Sequence, residues 1–179
     1  MNDSRYERWV KASISTAKFE LFMTPQIQSL GRLDIKLIEE DAEFLKDFEK
    51  NRNDLEANGL LNDRMTISYL WVLGAYEAIR TMCQRIRENQ ELVSPDIAEQ
   101  FNNLKRKFNR LRVPLAKMEA ASAHKTTDSH IAYPGINLTL GIAWKVTEDT
   151  FISRRELSDD LLRALEGGRT DQISRSNIT

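Results

Sequence analysis

A chain of 179 residues with 41% apolar and 30% charged residues has the composition of an ordinary globular protein and the length for one domain with a real core. Its formal net charge of -1 excludes a global electrostatic bias toward nucleic acid or membranes, so any basic face must be local. The single cysteine, Cys83, excludes an intramolecular disulfide and a multi-cysteine metal site.

The N-terminus is polar and shows no apolar leader segment. The most apolar window, Ile67 to Tyr76, is too short to span a bilayer, so the cytoplasm is the expected location and no membrane partner is expected. Ser4-Arg5-Tyr6-Glu7 reads as a capping box, and Trp9, Val10, Ser13, Ile14 and Ala17 follow at helical spacing. This predicts a helix over 5–22, ended by Pro25. Leu33 to Ile38 alternates like a strand but runs straight into Glu39 to Phe48, where Ile38, Phe44, Leu45 and Phe48 share a helical face. A helix over 34–50 is the expected outcome, with Asn58-Gly59 as a stop.

The next sixty residues organise the chain. Met65, Tyr69, Val72, Tyr76, Ile79, Cys83 and Ile86 recur at alternating four and three, and Leu70, Leu73 and Met82 widen the stripe. Ser94-Pro95-Asp96 opens a second helix, with Ser94 to cap and Pro95 at the first helical position. Its stripe is Ile97, Phe101, Leu104, Phe108, Leu111, Leu115 and Met118. The link near 89–93 is short, so the two helices should fold back as an antiparallel hairpin. Pro114 should kink or break the second helix, because it has no N–H and its ring meets the Arg110 carbonyl.

Lys125 to Ser129 is a polar loop, and Tyr133-Pro134-Gly135 reads as a turn. Ile136, Leu138, Leu140, Ile142, Trp144 and Val146 alternate as one strand. It needs a partner, either 131–133 or 150–152. Ser153-Arg154-Arg155-Glu156 is a second capping box, stapled by Ile152 and Leu157, and Leu157, Leu161, Leu162 and Leu165 form the face of a final helix. Gly167-Gly168 should end it. The expected fold class is mainly α: a helical bundle around the long antiparallel hairpin, with a small β element near the C-terminal third. Residues 1–168 make one domain and 169–179 a flexible polar tail.

Six basic residues and no acidic one lie between Lys105 and Lys117. Arg106, Arg110, Arg112 and Lys117 are the candidates for contacting phosphates. The competing reading is a solvated face whose charges pair with Glu39, Glu40, Asp41 and Glu43. Glu77 has two partners within reach, Arg80 one turn on or Arg112 across the hairpin. The second would hold Arg112 for phosphate contact. Trp71, Tyr76 and Trp144 sit on apolar faces, so core packing outweighs a role as base-stacking platforms. His124, Asp128 and His130 cluster within seven residues, but their spacing matches no standard ligand pattern, so no metal and no cofactor is expected. Cys83 reads as a buried structural thiol.

The acidic Tyr76-Glu77-Ala78 helix and a second helix ending in an arginine-led motif resemble HEPN domains. These are helical bundles of bacterial toxin–antitoxin and defence systems, many of them ribonucleases. They commonly dimerise so that an Arg-x4–6-His motif from each subunit forms one site. The resemblance covers Arg64 to Ala123 and makes Arg112 the motif arginine. The motif histidine would fall at 117 or 119, where Lys117 and Glu119 stand, and Val113 replaces the usual polar residue. Without the histidine, acid–base cleavage of RNA lacks its titrating group. The resemblance therefore implies a non-catalytic, homodimeric binder of RNA or a nucleotide; any enzymatic activity would be that of a ribonuclease. The alternative is an interaction or dimerisation module with no nucleic-acid role.

Overall fold

The computed structural model describes residues 4–176. Among these the chain forms six α-helices and a three-stranded antiparallel sheet, so the mainly helical architecture with a small C-terminal β element is what the chain adopts. The helices are α1 (Arg5–Ser13), α2 (Met23–Lys46), α3 (Phe48–Asn51), α4 (Leu55–Glu88), α5 (Pro95–Lys117) and α6 (Arg154–Ser176). The strands β1 (Tyr133–Asn137), β2 (Gly141–Lys145) and β3 (Phe151–Ser153) lie in the order β1-β2-β3.

The hairpin of α4 and α5 is the centre of the bundle. α2 and α6 also pack on α4, and α1 sits across α2 and α6. Val72, Ile79 and Met82 of α4 face Phe101, Phe108 and Leu111 of α5, all nearly or fully buried. The Trp71 and Phe108 rings meet at 6.3 Å. Two stripe members lie outside this core: Leu70 is exposed on the outer face of α4, and Met118 caps α5 in the left-handed conformation (φ 54°) with its side chain in solvent.

Several boundaries differ from the sequence reading, each for a local reason. The first helix ends at Ser13 and passes through a 3-10 turn over Ile14–Lys18. Pro25 then stands in the first turn of α2, where its missing N–H costs nothing. α2 runs through Gly31 and buries Ile27, Asp34, Leu37, Asp41 and Phe44, not the face of Ile38 and Leu45. Asn58-Gly59 lies inside α4, because Asp54 accepts from the N–H groups of Glu56 (2.9 Å) and Ala57 (3.4 Å) and starts that helix earlier. Pro114 is carried inside α5 without ending it. The lost hydrogen bond is a single one near the helix end, and burial of Leu111 and Pro114 against the core offsets it.

The alternating run over 136–146 is a hairpin, not one strand. The Asn137 side chain accepts from the N–H groups of Thr139 and Leu140, both at 2.9 Å, and Gly141 at φ 80° turns the chain. Ile136 then faces Ile142 across the pair, and Pro134 and Gly135 belong to edge strand β1, where a missing donor is tolerated. The partner over 150–152 is used, with Trp144 opposite Ile152 in β3. Gly167 and Gly168 do not end α6. A Cβ at Gly167 would lie 3.0 Å from Gln100 Oε1 and 3.3 Å from Ile97 Cδ1, so the pair lets α6 press against α5. Residues 169–176 are therefore helix rather than tail, while 177–179 lie outside the described residues.

Gly31 marks the closest helix crossing, since a Cβ there would overlap the Trp9 side chain of α1. Gly31→Ala should destabilise the fold by about 1–3 kcal/mol despite the better helix propensity of alanine. Gly59→Ala, with nothing within 4 Å of the new atom, should stabilise it by up to about 1 kcal/mol. Urea midpoints moving in opposite directions would bear this out, and a shift in the same direction would refute it.

Candidate functional site

On α5, Arg106, Lys107 and Lys117 are exposed, while Lys105, Arg110 and Arg112 are half-buried beside the core. At 1.5 Å per residue, Lys105 to Lys117 covers roughly 18 Å. The expected pairing of these charges with Glu39, Glu40, Asp41 and Glu43 does not occur; other carboxylates take two of them. Lys107 pairs with Asp160 of α6 at 2.5 Å. Arg110 holds Asp128 with two parallel bonds, Nε to Oδ2 at 2.7 Å and Nη2 to Oδ1 at 3.0 Å. Thr127 Oγ1 donates a third bond to Asp128 at 3.0 Å. Burial pushes the Asp128 carboxyl up, but these bonds and the Arg110 charge outweigh it and leave the pKa below its ordinary value. Arg110 therefore pins the 125–130 loop to α5, and it is the predicted site residue least free to meet a ligand.

Arg106, Arg112 and Lys117 make no ion pair with any described residue. Arg106 donates to Asn103 at 3.1 Å on its own helix. Arg112 lies over the Tyr76 ring, 4.9 Å from its centroid, half-buried in the seam between α4 and α5. Glu77 takes the nearer of its two partners, Arg80, at 2.6 Å. Tyr76, not Glu77, holds Arg112. Lys117 is exposed at the end of the helix. Burial raises the Cys83 thiol, while Lys105 and Arg87 nearby oppose the shift. Trp71, Tyr76 and Trp144 are all core residues. His124 is half-buried and His130 exposed, Asp128 is committed to Arg110, and no metal-holding group occurs among the described residues.

Sequence reasoning missed the most buried charged constellation. Asp34 is fully buried and accepts four bonds. Arg154 Nη1 (2.5 Å) and Ser158 Oγ (2.6 Å) reach its Oδ1, while Arg5 Nε (2.7 Å) and Trp9 Nε1 (3.1 Å) reach Oδ2. Burial pushes the Asp34 carboxyl up, but Arg154, Ser158 and Arg5 together pull it below its ordinary pKa. One turn pair further along α2, Asp41 Oδ2 accepts from the Ile142 N–H at 3.3 Å and lies 3.8 Å from Arg154 Nη2. Here burial wins over the Ile142 bond and the charges of Arg154 and Arg64, and the pKa is raised. Arg154 covers the Trp71 indole at 5.8 Å. Its Nε and Nη2, together with Arg64 Nε and Ser68 Oγ, are buried without a hydrogen-bond partner among the described residues. This network locks α1, α2, α6 and the β-hairpin together. It offers no reacting group to solvent.

Comparison with protein families, curated proteins and solved structures finds no match to this chain. No helix among the described residues is long and apolar enough to cross a membrane.

Proposed function

We propose that the chain is a non-catalytic, HEPN-like RNA-binding protein that meets the phosphate backbone with the basic stretch of α5. The observation that carries this reading is an acid-free stretch of helix on which Arg106, Arg112 and Lys117 make no ion pair with a described residue. An arginine held over the Tyr76 ring is pre-ordered for a phosphate, so less freedom is lost on binding. Chemistry is absent from the proposal because neither histidine stands beside Arg112 in the chain. A second reading rests on a different surface. An open groove of ≈ 590 Å³ between α2 and α4, lined by Pro25, Leu30, Leu33, Gly74 and Ala78, suits an interaction or dimerisation module.

The salt dependence of RNA binding separates the two. In the triple variant Arg106→Ala, Arg112→Ala, Lys117→Ala, each lost phosphate contact should lower the slope of log affinity against log salt by roughly 0.7 for a single strand. Absence of RNA binding by the folded wild type at low salt would discard the first reading and leave the second. Lys117→His should reveal whether the family geometry survives, by a gain of RNA cleavage.

A further inference from the structure

At the end of the bundle where α2, α3 and α4 meet, a cavity of ≈ 470 Å³ opens beside Arg64. Ligand pockets run from about 300 to 1,000 Å³, so this one has room for a small organic molecule. Its lining combines two features that no single charge satisfies. The first is Arg64. Only 9% of this residue is exposed, yet it makes no ion pair with any described residue. Its Nη1 donates to the Glu40 backbone carbonyl, its guanidinium covers the Phe44 ring at 4.8 Å, and its Nε has no acceptor among the described residues. The Asp41 charge reaches this guanidinium but no carboxylate of the described residues bonds it, so a buried donor is left that invites an anion.

The second feature is the surrounding rim of carboxylates: Glu40, Glu43, Asp47 and Asp63. Glu40 and Glu43 lean on Lys36 (3.6 Å) and Lys46 (2.5 Å) of their own helix, while Asp47 and Asp63 make no ion pair with a described residue. A free anion would be repelled by this rim. A free cation would be repelled by Arg64. A zwitterion meets both demands, placing its anionic end on the guanidinium and its cationic end on the rim. Leu60 and Ile67, with Phe44, supply apolar wall for its body.

We infer that this cavity binds a small zwitterion with an apolar body, the chemistry of an aliphatic or aromatic α-amino acid, with Arg64 taking the carboxylate and Asp47 and Asp63 the ammonium. The site is separate from the α5 face and does not depend on RNA binding. α2 carries the Glu40 carbonyl that holds Arg64, and the next residue, Asp41, ties the same helix to Ile142 and Arg154.

The test is calorimetric titration of the full chain with L-leucine and L-phenylalanine at millimolar concentration, beside their amides and N-acetyl derivatives. The free amino acid should bind saturably. The amide lacks the carboxylate and the acetyl form lacks the ammonium, so each should bind at least tenfold more weakly. Asp47→Asn with Asp63→Asn, on exposed positions, should weaken binding several-fold without disturbing the fold. Arg64→Met should abolish it. Should that core change unfold the protein, the comparison of acid with amide on the wild type still decides. Absence of saturable binding, or an amide that binds as tightly as the acid, overturns the inference.

Discussion

Asp34→Ala should lower the unfolding free energy by about 3–5 kcal/mol, the usual cost of removing one partner from a buried ion pair. Against a typical domain stability of about 5–15 kcal/mol, that is enough to leave the variant marginal. The reason is what the carboxylate gathers. Arg5 and Trp9 come from α1, Arg154 and Ser158 from α6, and Asp34 itself from α2. Removing it leaves Arg154 buried with Asp41 3.8 Å away and two further nitrogens already unpartnered. The effect has a pH signature. Because the folded pKa of Asp34 lies below its unfolded value, its contribution is fully present above about 3.9 and is lost as pH falls through the folded pKa. Urea unfolding measured from about pH 7 down to 3 should show the wild type losing this stability on the acid side and Asp34→Asn losing less. Equal acid sensitivity of the two would show that Asp34 is not charged in the native state.

The hairpin was legible because its signal is redundant. Each stripe runs for six or more turns, and Ser94-Pro95 marks the start of the second helix, so the pairing stayed readable although Pro114 pointed to a break that does not occur. The β-hairpin was half-legible. Alternation continues across a tight turn when the turn residues are themselves apolar, as Leu138 and Leu140 are, and only Asn137 and Gly141 betray the reversal. Glycine pairs read as stops, yet Gly167 and Gly168 serve close packing, a distinction that depends on Ile97 and Gln100 seventy residues away. The ion network was hidden for a related reason. Asp34 and Asp41 stand seven apart in the same stripe as Ile27 and Phe44, and Arg64 and Ser68 stand in the stripe of Trp71 and Ala75. Charged residues at core positions of two helices were the available signal. It pointed to burial but not to which charge meets which. On α5 the sequence could count cations. It could not foresee that Asp160 and Asp128 would take Lys107 and Arg110, because those partners come from other elements.

Arg154→Met should cost about 3–5 kcal/mol at neutral pH, and the loss should shrink on mild acidification, opposite in direction to the acid response of Asp34. Arg154 is fully buried at the first position of α6, where the helix dipole disfavours a cation, so carboxylates must hold it there. Without it Asp34 keeps Arg5, Ser158 and Trp9, but Asp41 keeps only the Ile142 N–H and the more distant charge of Arg64. Burial already raises Asp41, and losing Arg154 must raise it further. A carboxyl whose folded pKa lies above its unfolded value destabilises the fold at neutral pH. That cost is relieved as pH falls through the folded pKa toward about 3.9. The variant should therefore recover part of its loss at about pH 5, where the wild type is flat with respect to Asp34. Adding Asp41→Asn to Arg154→Met should restore part of the neutral-pH stability and remove the pH trend, with a coupling energy of about 0.5–3 kcal/mol between the two positions. An Arg154→Met variant equally destabilised at both pH values would mean that Arg154 acts by filling space against Trp71, and not by keeping Asp41 and Asp34 ionised.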